Sequence, residues 1–452
     1  MLEAQLRALI ADLSAVGLSG DEAFLVTVKR MGNVDSLSGD FARENRDRLW
    51  KQLVLVPADA GVSVDAQPDS KPGVRPDAAP NVLTDAKPGA RPAGIQIEAI
   101  VAFFLAVAAA VVIKLPAFFG IRLADEAAGF YLRNLSLFVL PLLTVYFAWR
   151  RRPAPGMLPW LAGAFLVAAI LANAYPFVPK GHTEILLALH LPIAIWLVVG
   201  IAYSGGRWRE HEGRMDFIRF SGELFIYYVL IALGGGVLIA FMSLIFAAIG
   251  VDLEPIFESW LLPCGAAGGV IIGSYLVETR QGLAENLAPM LTRLFTPFFA
   301  AMLVTFLAVM LWTGRGIKIE REVLIAFDLL LVVVLGLLLF SISARNPQSC
   351  PGPFDVAQVV LILSALLADA FALWAIAARI TEFGASPNRV AALGANIVLL
   401  INLAWSAVLY LRFLRGSVPF TRLERWQTAY VPVYAAWAAI VTIVFPPLFG
   451  WG

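Results

Sequence analysis

The chain has 452 residues, 60% hydrophobic and 15% charged, with a mean hydropathy of +0.78. A soluble domain carries about 45–50% apolar and about 25% charged residues, so this composition excludes an ordinary soluble enzyme. The net charge of +1 makes the chain no polyanion binder, and no nucleic-acid partner is expected.

Residues 1–55 are polar and charged. Glu3 and Arg7 interrupt the start and no apolar stretch follows, so no secretory signal is expected. Leu2, Leu6, Leu9, Leu13 and Val16 recur at helical spacing. Ser19 and Glu22 form a capping-box pattern, and Gly32 sits where a helix would end. A third helix is predicted over 35–52, burying Leu37, Phe41 and Leu49. This small cytosolic three-helix bundle reads either as a tether or as a module that recruits a protein partner. A bundle of this size is marginal alone. Residues 56–95 are rich in Pro, Ala, Asp and Gly without apolar periodicity, which predicts a disordered linker.

From residue 96 to 452 the chain is a series of apolar runs, each near the roughly 20 residues that cross a hydrocarbon core. Eleven are predicted: 97–115, 134–149, 158–175, 184–204, 222–250, 257–278, 291–313, 322–344, 354–379, 389–415 and 427–447. Runs this long are helices, because a spanning element must satisfy its own backbone. The predicted fold is an all-α, polytopic membrane protein of about 11 spans with the lipid bilayer as its surroundings. Basic residues bias the loops. About fourteen Lys and Arg fall on one side, among them Arg150, Arg207, Arg345, Arg412 and Arg425, against about eight on the other. By the positive-inside rule the N-terminus is cytoplasmic and the C-terminus periplasmic.

Two stretches resemble known families. Gly17-Leu18-Ser19, Asp21-Glu22-Ala23-Phe24, Arg30-Met31-Gly32 and Trp50-Lys51 resemble the bacterial permease prefix domain 1, a module found ahead of bacterial membrane domains. The segments Leu262–Gly269, Glu320–Arg345 and Arg379–Ser406 are similar to a bacterial inner-membrane family, the domain of unknown function 4153. The resemblances imply a bacterial inner-membrane location and bring no activity or site residues.

Polar residues inside the runs are the candidate site. Charge at bilayer depth is expensive and faces the bundle interior or water. Asp355, Gln358, Ala365 and Asp369 share one face of the ninth helix, and Asp369 is mid-span. It is either protonated or partnered. That leaves a structural hydrogen bond to a neighbouring helix, or a carboxylate that couples protons or cations. Asp328 is shallower and reads more readily as structural. Arg379, Glu382 and Arg389 surround the turn between the ninth and tenth helices, and Arg389 shares a face with Asn396. These form either a polar vestibule or a salt-bridged turn. Asn402 lies nearly opposite Asn396, which predicts a tenth helix hydrogen-bonded on both sides.

Gly265, Gly269 and Gly273 make a stripe for close helix packing. Gly234-Gly235-Gly236 and Pro263 are places where a helix can unwind, as at transporter binding sites. Trp426, Tyr430, Tyr434 and Trp437 line one side of the last helix. Lys114 is expected to snorkel outward, His190 to be packed, and Glu278 and Glu223 to pair with Arg280 or Arg219. Cys264 and Cys350 stand apart, and His182, His190 and His211 lack ligand spacing, so no disulfide framework or metal site is expected. No nucleotide, dinucleotide, zinc-protease or serine-hydrolase motif is present, and no cofactor or enzymatic activity is expected. The leading reading is a permease or transporter for a small molecule or ion, proton-coupled through Asp369. The alternative is a non-transporting scaffold or sensor whose N-terminal domain recruits a partner.

Overall fold

The computed structural model describes residues 93–121, 123, 129–279, 281–313 and 321–452. The bundle predicted over 1–55 and residues 56–92 of the linker lie outside the described residues. The described chain is all helix and turn. Its long helices are α1 (Ala93–Phe118), α2 (Phe130–Arg151), α3 (Met157–Ala174), α4 (His182–Tyr203), α5 (His211–Ala248), α6 (Leu262–Thr279), α7 (Gln281–Thr313), α8 (Arg321–Ser343), α9 (Pro353–Phe383), α10 (Pro387–Leu414) and α11 (Thr421–Ile443). A short α12 (Phe445–Leu448) follows. A π-helical turn, Phe257–Leu261, leads into α6.

Ten of these helices are long and apolar enough to cross a membrane, and α11 is not among them. Their outward faces are apolar, with Phe104, Phe118, Leu166, Phe241 and Trp312 well exposed. In water such a surface would be a liability. Against hydrocarbon it is the expected one, since the backbone is satisfied within each helix. The chain is a polytopic α-helical membrane protein.

Contacts at the helix ends fix which end faces which. At one end, Arg150 and Arg151 from the end of α2 pair with Glu278 at the end of α6, and Arg150 also pairs with Glu98 at the start of α1. There too Arg219, near the start of α5, donates to the Ser343 carbonyl closing α8, and Arg345 pairs with Asp355 opening α9. At the other end, Arg133 from the start of α2 pairs with Glu184 from the start of α4 at 2.8 Å. Asn388, opening α10, meets His182, opening α4. Successive helices therefore run in alternating directions, and arginines gather at one end.

The eleventh helix differs from the sequence expectation in composition and agrees in position. Arg422, Glu424, Arg425, Gln427 and Thr428 make its first two turns polar. Yet it runs antiparallel to α4 over that helix's depth. Thr428 meets His211 just past the end of α4, and the carbonyls of Trp451 and Gly452 accept the amides of Val178 and Thr183 at its start. Neighbouring helices, and not lipid, cover Gln427, Thr428 and Thr442, which are buried.

Two large apolar cores, with two smaller clusters beside them, hold the helices. One is aromatic, with Tyr146, Phe147, Trp196, Tyr203, Phe217 and Phe220 packed where α2, α4 and α5 meet. The other is aliphatic and joins α7, α8, α9 and α10 through Leu303, Leu331, Leu338, Ile362 and Leu403. The far half of α5 projects from both. A Cβ added at Gly234, Gly235 or Gly236 would meet nothing within 4 Å, and the helix is continuous through all three. The unwinding expected there is not seen. The irregular turn falls at Phe257–Leu261 instead, just ahead of Pro263.

Candidate functional site

Asp369 lies midway along α9 and is fully buried. The spacing expectation holds: Asp355, Gln358, Ala365 and Asp369 are all buried along the same helix. Their partners then separate them. Asp355 accepts from the Gly352 amide and pairs with Arg345, so it caps α9 at the basic end. Gln358 donates to Thr296 of α7 at 3.1 Å. Asp369 is different, because neither carboxylate oxygen has a hydrogen-bond partner. Ala365, Ala368 and Ala372 surround it on its own helix, and all three are buried.

Two other polar groups approach the same region. Asn396 of α10 is fully buried and donates its amide to Asp328 of α8 at 2.9 Å. The other end of that amide, Asn396 Oδ1, is unpartnered. Asp328 is half-buried and close enough to Asp369 for the two carboxylates to interact electrostatically. Three helices thus bring two carboxyl groups and one carboxamide together, with three acceptor oxygens lacking donors. An unpaired carboxylate in apolar surroundings requires a proton or a cation.

The remaining candidates fall elsewhere. Arg389 donates to the carbonyls of Phe383 and Gly384 and lies over the Phe383 ring, so it closes the α9–α10 turn. Glu382 is exposed and Arg379 half-buried, and among the described residues neither forms an ion pair with the other or with Arg389. The structure does not bring Arg389 and Asn396 together: one caps the turn while the other reaches α8. Asn402 donates to Gln427 of α11 at 3.0 Å, and Gln427 donates to Ser406 at 2.7 Å. The expectation that α10 is hydrogen-bonded on both sides holds, through Asn396 to α8 and Asn402 to α11.

Other expectations are refined. A Cβ at Gly269 or Gly273 would press on Tyr228 or Leu224 of α5, while at Gly265 it would meet nothing. The packing stripe therefore has two members. Lys114 is buried and does not snorkel. It donates to the Ser259 carbonyl and lies 4.7 Å from the Trp260 ring centroid, because the π-helical turn brings a carbonyl and an indole face to it. Glu278 pairs with Arg150 and Arg151 at the end of α2. Arg280 lies outside the described residues. Arg219 is taken by Ser343 and Asp216. His190 is packed as expected, with Nδ1 against the Leu186 carbonyl.

Sequence reasoning missed three groups. Gln427 is the hub of the α10–α11 network, and its signal was a lone amide facing Asn402 on the next helix. The buried Arg133–Glu184 pair had a signal too, opposite charges opening two spans that point the same way. Thr296, which holds Gln358, carried none. Among the described residues no cluster of His, Cys, Asp and Glu is arranged to hold a metal, and both cysteines are free.

Two clefts open at the basic end. One, of about 570 Å³, is lined by Glu210, His211, Glu212, Asp216, Arg219 and Glu424. The other, of about 480 Å³, lies between α10 and α11. Asp369 lines neither. No protein-family model, curated protein or solved structure matches the chain.

Proposed function

We propose that the chain is a permease-like protein of the bacterial inner membrane that couples movement of a small solute or ion to protons through Asp369. The observation that carries this reading is the fully buried Asp369 carboxyl with no hydrogen-bond partner on either oxygen. A purely structural polar residue in a membrane bundle is held by a hydrogen bond to a neighbouring helix. Asn402 and Gln358 have such bonds, and Asp369 does not. Asp328 and Asn396 add a second carboxyl and an amide hydrogen-bonded to it within the same three-helix junction. In this reading the N-terminal residues are a permease-prefix-like module in the cytoplasm, and the arginine-rich end faces inward.

One observation favours the rival, a membrane scaffold or sensor that recruits a partner through its N-terminal domain. The core around α8, α9 and α10 is filled by Leu331, Ile362, Leu399 and Leu403, and neither cleft reaches Asp369.

The test is Asp369→Asn, which keeps size and removes titration. In native membranes a hydrophobic carbodiimide should modify wild-type Asp369, with labelling that falls as pH rises. The Asn variant should insert at wild-type levels and fail to restore a proton-dependent growth phenotype in a deletion strain. Should Asp369→Asn restore growth fully while Asp369→Leu loses about 1–2 kcal/mol of stability, the range of a membrane interhelical hydrogen bond, the coupling role falls and the scaffold reading stands.

A further inference from the structure

The cleft between the end of α10 and the start of α11 has a rim and a wall of different chemistry. Arg412, Arg422 and Arg425 supply the rim, and all three are exposed. None forms an ion pair with a described residue. Four other arginines at this end are engaged: Arg150 and Arg151 by Glu278, Arg219 by Ser343, and Arg345 by Asp355. Trp405, Leu409 and Trp426 supply the wall. The two indoles lie 6.1 Å apart between centroids, and Trp426 is held by an Nε1 hydrogen bond to the Asn402 carbonyl. From Trp426 the aromatic contacts continue along α11 to Tyr430, which is buried against α10, and on to Tyr434. Beyond Trp405 the outward face of α10 stays apolar, with Ile401 and Ile397 exposed.

We propose that this cleft binds an anionic glycerophospholipid, its phosphate among the three guanidinium groups and an acyl chain along the indole wall. Guanidinium groups hold phosphate by paired hydrogen bonds, and tryptophan prefers the headgroup boundary where one ring edge is wet and the other apolar. Charge complementarity selects the sign of the ligand. The continuous apolar wall selects a lipid over a free anion. A volume of about 480 Å³ admits a headgroup and the first part of a chain, with the rest lying in the bilayer. The neighbouring cleft holds Glu210, Glu212, Asp216 and Glu424 alongside Arg219, and His211 and Arg425 line both clefts. The phosphate therefore belongs on the side of Arg412 and Arg422, where no carboxylate lines the wall. The site is independent of the role proposed for Asp369.

Native mass spectrometry of the full chain in detergent, with equal amounts of phosphatidylglycerol and phosphatidylcholine, tests this. A phosphatidylglycerol adduct should dominate. Arg412→Gln, Arg422→Gln and Arg425→Gln should each weaken it about fivefold, the scale of one basic residue against an anionic lipid surface. Arg209→Gln, at an exposed arginine of the same end outside the cleft, should leave it unchanged. Equal binding of phosphatidylcholine would overturn the proposal, as would full displacement by inorganic phosphate or an equal loss in Arg209→Gln. Each single variant is checked for wild-type helix content by circular dichroism, so the reading does not depend on a multiply substituted chain folding.

Discussion

Asn402 and Asp369 are both fully buried polar residues of neighbouring helices, and their surroundings separate their roles. Asn402 gives its amide to Gln427, which gives its own to Ser406, whose hydroxyl returns to the Asn402 carbonyl. This closed circuit ties α10 to α11. Such networks in membranes contribute modestly per bond, because the separated helices also find partners. Gln427→Leu removes one acceptor and one donor and strands the Asn402 amide. It should destabilise the protein by about 1–2 kcal/mol in thermal unfolding in detergent. Adding Asn402→Leu should recover part of that loss, because replacing both partners removes the stranded group. Losses that simply add would show that the two amides act independently. At this scale the sequence shows which residues are polar at depth and leaves open which are satisfied. Hydrogen bonding depends on the rotation of the neighbouring helix, which no local pattern encodes. Asp369 was therefore visible as a candidate, but its lack of a partner was not.

Helix positions were legible because the bilayer sets their length and apolar runs reveal it. The differences lie at ends and faces. α5 begins at His211 and α7 at Gln281, each about three turns before its apolar run, because polar first turns are tolerated where the helix leaves the membrane. Glycine spacing was a weaker guide. Gly265, Gly269 and Gly273 recur at intervals of four, yet only Gly269 and Gly273 meet another helix. The tightest glycine contact at the α10–α11 crossing is Gly394, which belongs to no stripe. A Cβ there would run into the Trp437 ring. Gly394→Ala should therefore lose about 1–3 kcal/mol, the range for overpacking. Gly265→Ala should be neutral or up to about 1 kcal/mol more stable, since it gains helix propensity without a clash. Melting temperatures of the two purified variants decide this, and equal values would mean that the Trp437 ring moves aside freely.

Over the whole molecule, α11 decides where the chain ends up. Judged by composition alone, the described residues hold ten helices apolar enough to span, an even number that would return the chain to the side where α1 begins. The contacts give the opposite result. Glu98 at the start of α1 pairs with Arg150 at the basic end, while the carbonyls of Trp451 and Gly452 meet the α3–α4 turn at the other end. A helix packed on α4, α10 and α5 can turn Gln427 and Thr428 to those neighbours and show lipid an apolar face of Val433, Ile440 and Ile443, so it can cross despite its polar first turns. Hydropathy undercounts helices of this kind because it scores side chains as though lipid surrounded them all. Labelling can settle the parity. Cys350 is exposed in the α8–α9 loop at the basic end, and Cys264 is the second native thiol. In a Cys264→Ser background, a membrane-impermeant maleimide should label Cys350 only from the face that carries the arginines. In Cys264→Ser/Cys350→Ser, Gly452→Cys should be labelled only from the opposite face. With the basic end inward, intact spheroplasts label Gly452→Cys and spare Cys350, while inverted vesicles give the reverse. Labelling of both positions from one face would place α11 on the membrane surface and end the eleven-span topology.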